Sequence, residues 1–226
     1  MRIARYIALI AALAGATSVA GAQAGGPAAT IERAAKAVKQ SGVVTATFEQ
    51  TLNNPLTGNQ ARSNGELALS QPDRLSLRFQ GAGDRVVSDG RWLWVYLPSA
   101  APGQVLKLPA SRGSGVGLDV VADLLDSPRA KFDVADGGAA MIGGRATHAV
   151  VLTPKKDGQG ITRAEVWVDD ADASVRQIAL TQDSGLERTW RMTSWTTNAK
   201  VPASTFRFDV PAGARVVDQA SFTGAP

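Results

Sequence analysis

From Val43 onward, the chain consists mainly of short segments in which apolar and polar residues alternate. In "RLSLRF", Leu75, Leu77 and Phe79 fall on one face of an extended strand, and polar residues occupy the other. Turn-forming pairs such as Asp89-Gly90 separate the segments. About eleven such segments follow one another closely, which predicts a wide antiparallel sheet with one apolar face.

Two segments interrupt this alternation with helical periodicity. "ATIERAAKAVKQSG" carries apolar residues on one helical face, with Thr30 placed to cap its start and Gly42 its end. "LDVVADLLDS" ends at Pro128 and places four apolar residues on one face: Leu118, Val121, Leu124 and Leu125. The predicted fold class is α+β and mainly antiparallel β. The pattern alone leaves two arrangements open, a closed barrel with a filled core and an open sheet with the helices as a lid.

The first 24 residues have the features of an export signal. Arg2 and Arg5 precede an apolar run, and the segment ends in the small-residue sequence Ala22-Gln23-Ala24. We expect cleavage near Ala24, a single domain over 25–226 and a periplasmic location. The chain has no cysteine, so its stability depends on the core.

The residues that enzyme and metal sites need are scarce. The formal net charge is only +4, with no basic cluster of the kind that binds nucleic acid. His148 is the one histidine and lies in a strand, where a structural hydrogen bond is the expected role. "VDDADASVRQI" lacks the spacing of a calcium loop and is interpreted as a polar hairpin turn. We predict no enzyme activity, cofactor, metal site or nucleic-acid partner.

The segment "SDGRWLWVYLP" is apolar on both faces. A two-residue turn at Asp89-Gly90 would place Val86 opposite Leu93 and Arg85 opposite Trp94, allowing a cation–π contact. In that register Leu93 and Val95 continue the apolar face of the sheet. The other face carries three aromatic residues that we expect to be partly covered: Trp92, Trp94 and Tyr96.

Five motifs in order, behind the export signal, resemble the LolA family of periplasmic carriers of outer-membrane lipoproteins. They are "FEQ", "GELALSQPDRLSLRF", "VVSDGRWLWVYLP", "LTPK" and "STFRFDVPAGARVVD". The resemblance implies an unclosed, eleven-stranded β-barrel with helices as a lid. It also implies a monomer that binds lipoprotein acyl chains without a cofactor. An inner-membrane ABC lipoprotein-releasing transporter would supply the cargo, and an outer-membrane lipoprotein receptor would accept it.

The resemblance also implies where acyl chains bind. The expected lining residues lie on the apolar face of the sheet: Phe48, Leu67, Leu69, Leu75, Leu77, Phe79, Leu93 and Val95. The lid would comprise Gln71, Leu118, Val121, Leu124 and Leu125. In the family pattern, an arginine before this proline holds the lid through helix carbonyls, whereas Gln71 occupies the position here. An amide forms fewer and weaker bonds than a guanidinium, so we expect a looser lid.

Three other functions fit the same pattern. One is a carrier of other lipids or amphiphiles, which the glutamine at position 71 favours. Another is an envelope-stress sensor domain of the same fold, although such sensors usually carry a second domain. The third is a structural β-domain with a filled core.

Overall fold

In the computed structural model of the chain, residues 25–110, 124–157 and 160–218 are described. The predicted signal segment and most of the predicted lid helix, including Leu118 and Val121, lie outside them. Among the described residues, no helix combines the length and the hydropathy that a membrane span requires.

The first helix, α1, spans Pro27–Gln40 and begins before the predicted cap at Thr30. Pro27 starts the helix, because its fixed φ angle suits the first turn. At the other end the capping residue is Ser41, in an extended conformation, and not Gly42. The predicted capping roles of Thr30 and Gly42 are therefore wrong. The predicted apolar stripe is buried against the sheet: Ile31, Ala34, Ala35 and Val38.

Twelve strands and two short helical segments follow α1 in the described part of the chain. The strands are β1 Val44–Asn54, β2 Asn59–Ser70, β3 Arg74–Phe79, β4 Arg85–Asp89, β5 Trp92–Tyr96, β6 Gln104–Pro109, β7 Phe132–Ile142, β8 Arg145–Pro154, β9 Ile161–Asp169, β10 Val175–Gln182, β11 Glu187–Met192 and β12 Arg215–Asp218. Helix α2 spans Pro128–Lys131, and a 3₁₀ helix spans Ala203–Phe206.

All twelve strands form one sheet in the order β12-β6-β5-β4-β3-β2-β1-β11-β10-β9-β8-β7. Its two edges, β12 and β7, do not pair with each other, so the barrel is unclosed. Every neighbouring pair is antiparallel except β12 with β6. The predicted fold class is confirmed, with twelve strands in place of about eleven.

One face of the sheet, which we call the inner face, carries the core of the protein. It includes Phe48, Leu67, Leu77, Leu93 and Val95, together with the apolar stripe of α1. Helix α1 packs on β7, β8 and β9, at one end of the sheet. The core therefore extends from strands that the helix covers to strands farther from it, β2 to β6.

The opposite, outer face is covered at β4–β6 by the C-terminal segment. Phe208 stacks on Trp94 with ring centroids 5.5 Å apart and lies 6.2 Å from Tyr96. The guanidinium of Arg85 lies over the Phe208 ring at 4.8 Å. The alternation in "TFRFDVP" is typical of a strand and predicts one, but the segment forms part of the 3₁₀ helix and an extended stretch outside the ladder. Phe208 packs against the aromatic strand β5, and Phe206 lies beneath the guanidinium of Arg74.

The β4–β5 turn differs from the predicted two-residue turn. The Asp89 carboxylate accepts hydrogen bonds from the backbone N–H of Arg91 (2.8 Å) and of Trp92 (2.7 Å), which holds a longer loop. Val86 therefore lies opposite Val95. The predicted register is wrong by two residues, and this even shift leaves each side chain on its expected face.

The predicted contact between Arg85 and Trp94 does not form. Arg85 lies opposite Tyr96 and stacks on that ring at 5.6 Å. The cation nearest Trp94 is the Lys107 ammonium, 5.2 Å from the ring centroid. The register shift explains the exchange of partners.

The acidic run after β9 forms a buried ion cluster at the β9–β10 turn. Asp169 is 1% exposed and accepts hydrogen bonds from Arg145 (2.7 Å) and Arg176 (3.0 Å), and from the backbone N–H of Ala171 (2.9 Å). Burial alone raises the pKa of Asp169, but these donors outweigh burial and lower the pKa to about 2. The run is thus a hairpin turn, as the sequence predicts, with two arginines bound to its first carboxylate.

Candidate functional site

The strand register brings the expected lining residues of β1, β2 and β3 together on the inner face. Leu69 lies opposite Leu75, and Leu67 lies opposite Leu77. Seven of the eight expected residues are buried: Phe48, Leu67, Leu69, Leu75, Leu77, Leu93 and Val95. Phe79 is half-buried and packs against the same cluster. These residues form one continuous apolar surface across β1 to β5.

A glycine lies between the two phenylalanines of this surface in the sheet, and their rings meet above it. Gly65 on β2 lies between Phe48 on β1 and Phe79 on β3, and the rings meet edge to face at 5.6 Å. A Cβ on Gly65 would lie 2.3 Å from the carbonyl oxygen of Arg78 and 2.8 Å from the Phe48 ring. The absence of a side chain at this position lets the two phenylalanines cover the strand.

The described end of the predicted lid reaches the inner face. Leu124 and Leu125 are both 0% exposed and belong to the same cluster as Leu77 and Val95. Helix α2, which follows them, contacts α1 and β7. Leu124 and Leu125 therefore belong to the core, and the helix that follows them lies next to the helix-covered end of the sheet.

Gln71 lies in the turn between β2 and β3 and is half-buried. The contact expected of it, to carbonyls of the lid helix, involves residues outside the described part of the chain. Arg74, the nearest arginine, donates to the hydroxyl of Ser70 (3.1 Å) and lies over the Phe206 ring at 5.3 Å. Its guanidinium is thus engaged with the C-terminal segment.

A cluster of polar side chains interrupts the apolar inner face on three neighbouring strands, β2, β1 and β11. We call it the rim cluster, and it comprises Gln50, Ser63, Arg188 and Trp190. Arg188 donates to the side-chain oxygen of Gln50 (3.2 Å), and the Gln50 amide donates to the Ser63 hydroxyl (3.0 Å). The Arg188 guanidinium lies 5.4 Å from the centre of the Trp190 ring.

The rim cluster was not predicted from the sequence, although the strand pattern contains a signal for it. In "ERTWRM", Arg188 has the same strand parity as Trp190 and Met192, which are both buried in the core. An arginine on the apolar face of an alternating strand is unusual. Burial lowers the pKa of Arg188.

His148, the one histidine, is buried on β8, and its Nε2 lies 2.6 Å from a carboxylate oxygen of Asp136. A backbone hydrogen bond from Gly138 and the contact with His148 lower the pKa of Asp136. The histidine ties two neighbouring strands together, which agrees with the structural role expected of it.

The outer face offers a groove of a different chemical character. A groove of about 590 Å³ crosses β10, β11, β1 and β2, with a lining of charged and polar side chains that includes Glu49, Arg62 and Arg191. A lining of charged and polar side chains favours contact with water and ions, and it disfavours the binding of acyl chains. The inner face, by contrast, is lined by apolar side chains.

Comparison with known proteins identifies related sequences. Residues 131–209 match the family model described as outer membrane lipoprotein carrier protein LolA. An outer-membrane lipoprotein carrier protein of Dechloromonas aromatica (strain RCB) is 26% identical over 185 residues, covering 80% of this chain and 84% of the relative. The protein of the same name from Methylibium petroleiphilum is 29% identical over 184 residues, covering 77% and 82%.

A solved structure shows the same fold. It is an uncharacterized conserved protein from Thermus thermophilus, with a TM-score of 0.55 and 13% identity. The match covers 85% of this chain and 98% of that one. The family match over 131–209, the two relatives and the unclosed sheet together confirm the resemblance carried by the sequence motifs: this chain is similar to the outer-membrane lipoprotein carriers of the LolA family.

Proposed function

We propose that residues 25–226 act in the periplasm as a carrier that shelters lipoprotein acyl chains against the inner face. In this proposal, residues 1–24 are removed on export. The cargo comes from an inner-membrane ABC transporter and passes to an outer-membrane receptor. The carrier binds and releases without chemical conversion. The lipoprotein carriers to which the chain is similar support this role.

The physical problem is the exposure of acyl chains to water. Each CH₂ group costs about 0.8 kcal/mol in water, so a chain of ~16 carbons costs about 12 kcal/mol. A lipoprotein with several such chains therefore needs an apolar protein surface that is large enough to cover all of them while it crosses the periplasm. A lid that moves allows uptake and release, because a fully closed site would retain its cargo.

The observation that carries the proposal is the extent of the inner face. Leucines and valines line it continuously from β2 to β6, whereas α1 packs on β7 to β9 at the other end. Acyl chains would bind over β2 to β6, and the predicted lid, which includes Leu118, Val121, Leu124 and Leu125, would cover them. Leu124 and Leu125 at the end of that lid are already in the cluster.

Release from spheroplasts tests this function. Spheroplasts that synthesise a labelled lipoprotein are incubated with the purified protein, and soluble complexes are captured through a tag on the carrier. We expect newly matured lipoprotein in the soluble fraction, bound to the carrier. A lipoprotein variant that lacks the acylated cysteine serves as control and should not be captured. Failure to release the acylated form would rule out lipoprotein transport.

A carrier of other amphiphiles is the second candidate, and Gln71 favours it. The residue departs from the arginine of the family pattern, so the lid contact differs from the one expected of a lipoprotein carrier. Native mass spectrometry of the protein purified from cells separates the two candidates. Bound lipoprotein supports the first candidate, and bound phospholipid or fatty acid supports the second.

Replacing Gln71 with arginine is expected to tighten the lid. A guanidinium presents five N–H donors in a planar fork, so it binds helix carbonyls more strongly than an amide does. We expect slower hydrogen exchange over 118–125 and slower uptake of acylated cargo. Gln80→Arg, at an exposed site past β3, is the control. Unchanged exchange and uptake in Gln71→Arg would show that position 71 does not hold the lid.

A further inference from the structure

We propose that the rim cluster is the binding site for the ester carbonyl oxygens at the head of the acyl cargo, with Arg188 and Trp190 as the hydrogen-bond donors. This inference rests on the proposed carrier function and specifies how the cargo is oriented. The acyl tails would extend along the inner face, and the glycerol ester groups would lie at the rim.

The position of the cluster follows from the strand register. Along β1 and β11, the inner face begins with Phe48 opposite Met192, both buried. The next pair on this face is Gln50 opposite Trp190, and Leu52 opposite Arg188 follows, where both residues are half-buried. Burial therefore decreases toward Arg188. The cluster lies at the boundary between apolar interior and solvent, where the polar head of an amphiphile belongs.

Two N–H donors of the cluster have no hydrogen-bond acceptor within the described chain. They are Nε of Arg188 and Nε1 of Trp190, and both atoms are shielded from solvent. Buried donors are nearly always paired in folded proteins. Trp190 as a whole is only 1% exposed. Two unpaired donors on neighbouring inward positions of one strand form a site for an oxygen acceptor.

The charge of the cluster is also uncompensated. Burial is the cause that lowers the pKa of Arg188, and no described carboxylate forms an ion pair with this guanidinium. Gln50 supplies one neutral acceptor and is itself held by Ser63. The guanidinium is thereby oriented while its Nε stays free. A carbonyl oxygen that enters from the cargo would accept a charge-assisted hydrogen bond in a low-dielectric setting.

The test compares two synthetic lipopeptides that differ in the head alone. One carries dipalmitoylglyceryl-cysteine with two ester carbonyls, and the other carries the matching dialkyl ether without carbonyls. Affinity is measured by fluorescence polarisation of labelled peptides. We expect the protein to bind the ester about tenfold more tightly than the ether, the ratio that one hydrogen bond to a charged donor provides. Arg188→Met should reduce this ratio to about twofold, because the neutral N–H of Trp190 remains.

Arg191→Met is the matched control, because Arg191 is exposed and belongs to the outer face of the same strand. It should keep the full preference for the ester. Trp190→Phe, which removes the indole N–H, should lower the preference partially. Replacing a half-buried cation that has no described ion-pair partner with methionine is expected to preserve or increase stability. Arg188→Lys, which lacks the planar fork, gives a second variant at that position.

The outcomes separate the two proposals. Equal binding of ester and ether by the unmodified protein would overturn the head site and leave the carrier function intact. A preference that stays at about tenfold in both Arg188 variants would also overturn it. If neither lipopeptide binds, the carrier function itself is wrong, and the head site with it.

Discussion

Replacing Asp169 with alanine is expected to lower the free energy of unfolding by about 3–5 kcal/mol, the range for breaking a buried ion pair. The carboxylate is 1% exposed and binds both Arg145 and Arg176. Its loss would leave Arg176, whose side chain is 18% exposed, without its closest carboxylate. It would also remove the acceptor of the Ala171 amide.

Urea unfolding at pH 7, followed by tryptophan fluorescence, measures this change. Asp170→Ala is the matched control, because Asp170 is the exposed neighbour in the same turn. A surface substitution of that kind alters stability by about 0.5 kcal/mol or less. Equal stabilities for the two variants would show that the ion cluster does not stabilise the hairpin.

The same carboxylate makes stability depend on acid pH. The folded-state pKa of about 2 lies below the value of 3.8 for a free aspartate. A depressed pKa contributes stability above the unfolded pKa, and that contribution is lost as the pH falls from about 4 to about 2. Its size is about 2 kcal/mol. The stability difference between the unmodified protein and Asp169→Asn should therefore shrink over this range. A constant difference would contradict the assigned pKa.

The apolar face could be predicted from sequence because period-two alternation depends on each strand alone. Leu75 and Leu77 point to the same side in any register that keeps parity, so the β4–β5 turn could differ from the prediction without moving a residue to the wrong face. The register itself depends on the Asp89 side chain, which caps a longer loop.

Contacts between distant segments could not be predicted in this way. The alternation of Phe206 and Phe208 is that of a strand, but Phe208 packs on Trp94 and Phe206 lies beneath the Arg74 guanidinium, contacts that the local pattern does not contain. Asp169 belongs to an evident acidic run, but Arg145 is 24 residues away and reaches it only through the β8–β9 pairing. The rim cluster likewise joins Gln50 to Arg188 from opposite ends of the chain.

Leu77→Trp is expected to reduce the release of lipoprotein from spheroplasts roughly thirtyfold. Leu77 lies at the centre of the inner face, opposite Leu67 and Val86. An indole there would exclude about three methylene groups of an acyl chain. At about 0.8 kcal/mol each, this amounts to roughly 2 kcal/mol of lost burial, and 1.4 kcal/mol corresponds to a tenfold change in affinity.

Arg78→Trp places the same side chain on the outer face of the same strand, next to Leu77 in sequence, and should leave release unchanged. Stability distinguishes a cavity from a filled core. Overpacking a filled core costs about 1–3 kcal/mol, whereas an indole that enters open space should cost less than about 1 kcal/mol. A large loss of stability in Leu77→Trp, together with no release of lipoprotein by the unmodified protein, would identify a structural domain with a filled core. Preserved stability with selective loss of release would place the acyl chains on the inner face, because only there does the added indole compete with the cargo.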